Sequence, residues 1–204
     1  MLKQFVEDFT SSLLTVDKTS EPAFSRRTGK TYSPGIGPYQ ETEAIKLIIE
    51  DLQAVHGDRY NDVQTEIKYP NSRKRCDVVL NNNLFIEIKA VRMMRDNGKP
   101  EPYFMKTILS PYEQDRSFLT DTQKLLTSGF DGQKAVMMYG YDYDDYPMDI
   151  MLGSFELLAE KYFCVFKETY EASFEGLIHP VHKQGKVKAY LMDDNKFPEE
   201  LKDV

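Results

Sequence analysis

Arg75-Cys76-Asp77-Val78-Val79-Leu80, then Asn81-Asn82-Asn83, then Leu84-Phe85-Ile86-Glu87-Ile88-Lys89-Ala90-Val91: two largely apolar runs joined by three asparagines predict a β-hairpin with a three-residue turn. With Leu80 opposite Leu84, the numbers of opposed partners sum to 164, and Asp77 falls directly across from Glu87. Opposed side chains stand about 4.5–5.5 Å apart at Cβ, where two like charges are destabilising unless a positive group intervenes. Lys89, two residues beyond Glu87, shares its face. Val78, Val79, Leu80, Phe85, Ile86, Ile88 and Val91 make the strands nearly continuously apolar, which predicts a central place in a sheet and a high cost for an unpaired charge. Two carboxylates and an ammonium held together there suit a hard divalent cation with oxygen ligands.

Upstream, Ile45, Ile48, Ile49 and Leu52 recur at helical spacing in a segment that ends near His56-Gly57. At 100° per residue from Ile45, Glu41 falls at about −40°, inside the apolar arc, and Glu43 at about 160°, on the far side. Glu41 is therefore the third acid expected to face the sheet, in a first turn that favours a carboxylate; a rotated helix would present Glu43 instead.

The rest of the chain frames this unit. Residues 2–14 read as a helix, and a loop spans about 17–38. In that loop Gly29-Lys30-Thr31 ends like a phosphate-binding loop, but Phe24 stands where the earlier glycine belongs and Pro34 follows instead of a helix, so no nucleotide cofactor is expected. Strands are predicted at 63–67, 76–80 and 84–91, then a basic, methionine-containing loop to about Ser110 and a helix over 112–127. A buried strand at 134–139, a helix over about 149–161, strands near 163–169 and 186–192 and an acidic tail from Asp193 complete the chain. This order predicts an α/β fold, a mixed β-sheet flanked by helices, in one domain over 1–204 with a core at about 38–141 and a C-terminal extension at about 142–204. Asp121 and Lys124, three apart on a helix, read as an ordinary surface pair, and His179-Pro180-Val181-His182 as a loop or strand end.

A helix acid, then a strand aspartate, then Glu-x-Lys on the paired strand resembles the PD-(D/E)xK nuclease superfamily, the restriction-endonuclease-like fold. The likeness covers roughly Pro38 to Tyr141, with Cys76 standing where the family has its proline. It implies that Asp77, Glu87 and the backbone carbonyl of Ile88 bind Mg²⁺, that Glu41 assists directly or through water, and that Lys89 orients the attacking water. Mn²⁺ would substitute. The products would carry a 5′-phosphate.

Composition limits the partners. The 204 residues carry a formal charge of −7, which excludes a generally basic coat but not a local basic groove. Arg73, Lys74 and Arg75 before the hairpin, and Arg92, Arg95, Lys99 and Lys106 after it, are the candidate DNA-phosphate contacts. No apolar run approaches the roughly twenty residues of a membrane span, and the acidic N-terminal segment is unlike a secretion signal, so a cytoplasmic protein is expected. Cys76 and Cys164 have no zinc spacing and are expected to be reduced core residues. The expected activity is a Mg²⁺-dependent DNA endonuclease, restriction-like or a related defence nuclease, working as a homodimer. A repair or junction-resolving nuclease, and a non-catalytic nucleic-acid-binding module of the same fold, are the alternatives.

Overall fold

Helix α1 (Leu2–Thr19) opens the chain, followed by a two-stranded ribbon, β1 (Phe24–Ser25) and β2 (Lys30–Thr31), whose turn places Gly29 at φ +65°. Helix α2 (Glu41–Val55) and one turn of α3 (Gly57–Tyr60) lead into β3 (Gln64–Lys68), β4 (Arg75–Leu80) and β5 (Leu84–Val91). Then come α4 (Phe104–Leu109), a 3-10 turn (Glu113–Asp115), α5 (Phe118–Leu126), β6 (Gln133–Tyr141), α6 (Met148–Tyr162), β7 (Phe166–Glu175) and β8 (Gln184–Met192). These elements are seen in a computed structural model that describes residues 1–70, 72–163 and 166–193.

Six strands form one sheet in the order β3-β4-β5-β6-β8-β7. Only β5 and β6 run parallel, joined by a crossover through α4 and α5; the other neighbours are antiparallel. The hairpin register is the expected one, with Leu80 opposite Leu84 and Val79 opposite Phe85. Asn81 and Asn82 take φ of +50° and +54°, a left-handed conformation that asparagine tolerates better than most residues.

Strand alternation sorts the core into two layers. Leu80, Ile86, Ile88, Met137 and Tyr139 pack beneath α1 and α2. Val79, Phe85, Val136 and Met138 face α5 and α6 on the other side. Both faces of β5 and β6 are thus covered, which is why their sequences are apolar without alternation. Where the end of β6 pairs with the start of β8, a Cβ on Gly185 would stand 1.9 Å from the Gly140 carbonyl oxygen, so this approach requires glycine. Buried Asp17 holds the layer above: its carboxylate accepts from the amides of Ile36, 2.9 Å, and Ile178, 2.7 Å.

Several boundaries differ from the sequence expectation. The first helix continues to Thr19 because Val16 and Asp17 are still inward. The basic loop before Ser110 contains α4. The helix expected over 112–127 is broken at Arg116, φ +49°, and restarts where Ser117 Oγ accepts the Thr120 amide, an N-cap that apolar periodicity does not reveal. The strand expected near 163–169 starts at Phe166 and runs to Glu175, an edge strand in which Tyr170, Ala172 and Phe174 alternate toward the core between exposed polar residues. Cys76 is buried with a free thiol, whereas Cys164 and the acidic tail beyond Asp193 lie outside the described residues. No helix among the described residues is long and apolar enough to cross a membrane.

Candidate functional site

The site begins where β4 and β5 part. Their register contains no pair beyond Val78 and Ile86, so Asp77 and Glu87 are not the ladder pair that the count to 164 predicts. Beside this point Glu66 of β3 takes φ +57°, and the β3–β4 register omits the Glu66–Asp77 pair. The amides of β5 left without strand partners are taken by carboxylates. Asp77 Oδ2 accepts from Ile88 N at 2.7 Å, and Glu41 Oε2 accepts from Ala90 N at 2.6 Å. A residue's N–H and C=O point to the same strand edge, so the Ile88 carbonyl also faces this opening.

Glu41 therefore reaches the sheet as the helix phase predicts, while Glu43 is exposed. Its other oxygen, Oε1, lies 3.2 Å from Lys89 Nζ, which is also 3.4 Å from Asp121 Oδ2. Lys124 Nζ is 3.0 Å from Asp121 Oδ1 and 3.0 Å from Glu87 Oε1. The Tyr69 hydroxyl donates to that same Glu87 oxygen. A continuous chain thus runs Glu41, Lys89, Asp121, Lys124, Glu87, Tyr69, with Asp77 beside it.

Burial decides the electrostatics. It raises the Asp77 carboxyl to about 6, aided by Glu41 and resisted by the Ile88 amide. Glu87, 3% exposed, is pushed well above the usual carboxylate range by burial and then by the negative charge of Asp77. Burial opposes charge on Lys89 and Lys124, but the surrounding carboxylates outweigh it and raise both, Glu41 chiefly for Lys89 and Glu87 chiefly for Lys124. With all six groups ionised, four carboxylates and two ammoniums leave a formal charge of −2. That is a deficit one divalent cation would balance.

Asp121 and Lys124 are not a surface pair: their side chains are 19% and 18% exposed, and they close the site from α5. At 100° per residue Asp121 falls about 40° outside the arc of Phe118, Thr122 and Leu125, a position on the rim that polar identity alone makes look solvent-facing. Tyr69 gives no signal, because it stands just before Pro70 at the end of a short polar strand.

An open cleft of about 1060 Å³ adjoins the cluster, lined among others by Arg73, Lys74, Arg75, Arg116, Asp121 and Lys124. Of the expected DNA contacts, Arg73, Lys74 and Arg75 line it, although Lys74 also pairs with Glu113 at 2.8 Å and Arg75 donates to the Glu66 carbonyl at 2.8 Å. Arg92, Arg95, Lys99 and Lys106 do not line it. Arg92 donates to the Gly37 carbonyl, Arg95 pairs with Glu101 and Lys106 with Asp115. Their loop folds instead toward the β7–β8 connection, where Asp96 meets His182 at 3.2 Å. Arg116, which no sequence signal singles out, takes a place in the cleft. No family model, curated protein or solved structure matches the chain.

Proposed function

We propose that the chain is a Mg²⁺-dependent DNA endonuclease of the PD-(D/E)xK type, with a restriction-endonuclease-like core. The observation that carries this reading is the largely buried cluster of Glu41, Asp77, Glu87, Asp121, Lys89 and Lys124 at a strand fork, two positive charges short when every group is ionised and opening on a basic cleft. The donor set fits a hard cation: Asp77, Glu87 and the Ile88 carbonyl would hold Mg²⁺, Glu41 would assist, and Mn²⁺ would replace it. The ion supplies Lewis acidity to the phosphodiester and lowers the pKa of a bound water.

The chain's own groups do the rest. Lys89 is kept protonated between Glu41 and Asp121, so it orients the attacking water and offsets phosphate charge rather than serving as a base. Lys124, 3.0 Å from Glu87 Oε1, counteracts the burial and the Asp77 charge that raise that carboxyl. Arg73, Arg75 and Arg116 give the cleft the charge that a nucleic-acid backbone requires. One such site cuts one strand, and symmetric duplex cleavage calls for a homodimer.

Supercoiled plasmid with Mg²⁺ is the direct test. Wild type nicks and linearises it, and Asp77→Ala and Lys89→Ala do not; equal activity in all three proteins means another site or a contaminant.

The cleft makes a separate prediction. Measured on duplex DNA with the Asp77→Ala protein, Arg73→Ala and Arg116→Ala each weaken binding and flatten the plot of log K against log salt by about 0.9 for each phosphate no longer neutralised. Arg95→Ala leaves both unchanged, because its guanidinium is engaged with Glu101 away from the cleft. A slope change for Arg95 as large as for Arg73 would put the DNA on the other surface.

A further inference from the structure

A second cluster of ligating side chains lies outside the four-acid site and shares no residue with it. Asp96, in the loop after β5, and His179 and His182, between β7 and β8, each offer one ligand atom, and these atoms lie within 4.8 Å of one another. Both imidazoles are buried, His179 at 1% and His182 at 0% exposure, while the Asp96 side chain is 24% exposed and leaves a way in from solvent.

His182 is held on all sides. Its Nδ1 is 2.7 Å from the Tyr143 hydroxyl and its Nε2 3.2 Å from Asp96 Oδ1. Its ring lies between those of Tyr141 and His179, each 4.6 Å away, and a Cβ on Gly37 would come within 2.4 Å of its Cδ2. His179 is less satisfied. Its Nδ1 accepts two long hydrogen bonds, 3.2 Å each, from the amides of Val181 and His182, while its Nε2 is buried without a hydrogen-bond partner among the described residues. Burial, with His182 beside it, lowers this imidazole to about 4, so the ring is neutral at physiological pH. An uncharged, buried nitrogen with nothing to bond is unusual in a folded chain.

We propose that Asp96, His179 and His182 form a Zn²⁺ site, with Nε2 of both histidines and one Asp96 oxygen as ligands and solvent in the fourth position. Two imidazoles and a carboxylate suit a borderline cation, and the two nitrogens distinguish this site from the all-oxygen Mg²⁺ cluster. With the ion on the Nε2 lone pair, each imidazole carries its proton on Nδ1. In His182 that proton is donated to the Tyr143 hydroxyl, an outer hydrogen bond of the kind that fixes a metal-bound imidazole. In His179 it displaces the two long amide hydrogen bonds, and the coordinated nitrogen is no longer an orphan. The ion pins the loop carrying Arg92, Arg95 and Lys99 to the β7–β8 connection.

Metal-free full-length protein is titrated with Zn²⁺ against a chromogenic chelator and with Co²⁺ in the visible, alongside Asp96→Asn, His179→Gln and Asp77→Asn. The expected result is one Zn²⁺ per chain and an intense Co²⁺ band of tetrahedral type, both retained in Asp77→Asn. Zn²⁺ affinity falls at least tenfold in Asp96→Asn and in His179→Gln, with melting curves confirming that both proteins fold. Lack of Zn²⁺ binding by folded wild type, or binding that neither substitution weakens, overturns the site. Loss of the binding in Asp77→Asn overturns it equally, by assigning the ion to the four-acid cluster. Because the readout is metal binding, it is independent of whether the chain cleaves DNA.

Discussion

In the absence of divalent ions at pH 7.5, Asp77→Asn melts roughly 5 °C above the wild type, and with Mg²⁺ added its plasmid cleavage is about three orders of magnitude slower. The stability gain follows from the sign of the pKa shift. Asp77 is raised from an ordinary 3.8 to about 6 in the folded chain, so folding favours its protonated form. The stability this contributes is fully present below about pH 4 and is lost as pH rises through about 6. At pH 7.5 the ionised carboxylate therefore costs about 2–3 kcal/mol, and about 2–4 °C of melting temperature accompanies each kcal/mol in a chain of this length. Asparagine removes the charge but keeps a side-chain carbonyl for the Ile88 amide, so the hydrogen bond at the fork survives. Mg²⁺ reverses the ranking. It stabilises wild type at pH 7.5, does so far less at pH 5, where Asp77 is protonated, and leaves Asp77→Asn nearly unaffected at either pH. Calorimetric melts of the two proteins at both pH values, with and without MgCl₂, provide the measurement. An Asn variant less stable than wild type in metal-free buffer would show that the carboxylate is not burdened, and the case for a cation there would lose its electrostatic basis.

The fork itself is only half legible in the sequence. Two nearly continuous apolar runs and three asparagines specify the hairpin and its register through Val78 and Ile86, because each of those residues is constrained by one of the two packed layers. They do not say where pairing stops. That depends on Glu66 adopting φ +57° and on Asp77 and Glu41 substituting for backbone partners, choices made by polar groups that periodicity treats as blanks. Glu41 is separable from Glu43 because a helix fixes directions at 100° per residue and the two differ by about half a turn. The same geometry is not enough for Asp121 and Lys124. A polar residue on the rim of an apolar arc is compatible with solvent or with a buried partner, and Glu87 lies more than thirty residues away in sequence. Likewise the basic residues around the hairpin look equivalent as letters. The fold separates Arg73 and Arg75, on the cleft, from Arg92, whose guanidinium is turned to the Gly37 carbonyl.

The two lysines that complete the cluster are expected to fail in different ways. Lys89→Met is expected to lower the cleavage rate about 10²- to 10⁴-fold at every pH, with DNA binding in metal-free buffer largely retained, because in the proposed mechanism the group removed is the one that orients water and faces the developing charge. Lys124→Met does something else. Its ammonium is the nearest positive group to Glu87, whose carboxyl is already raised by burial and by Asp77; without it, Glu87 rises further and holds its proton to higher pH. The acid limb of the pH–rate profile therefore moves to higher pH. Above that limb the rate recovers to within about tenfold of wild type, since an ionised Glu87, its Oε1 still accepting from Tyr69, keeps Oε2 for a cation. Profiles from pH 5 to 9 at saturating Mg²⁺ separate the two outcomes. Parallel losses of equal size in both variants would make the lysines one structural unit, with no division of labour between orienting water and keeping Glu87 charged.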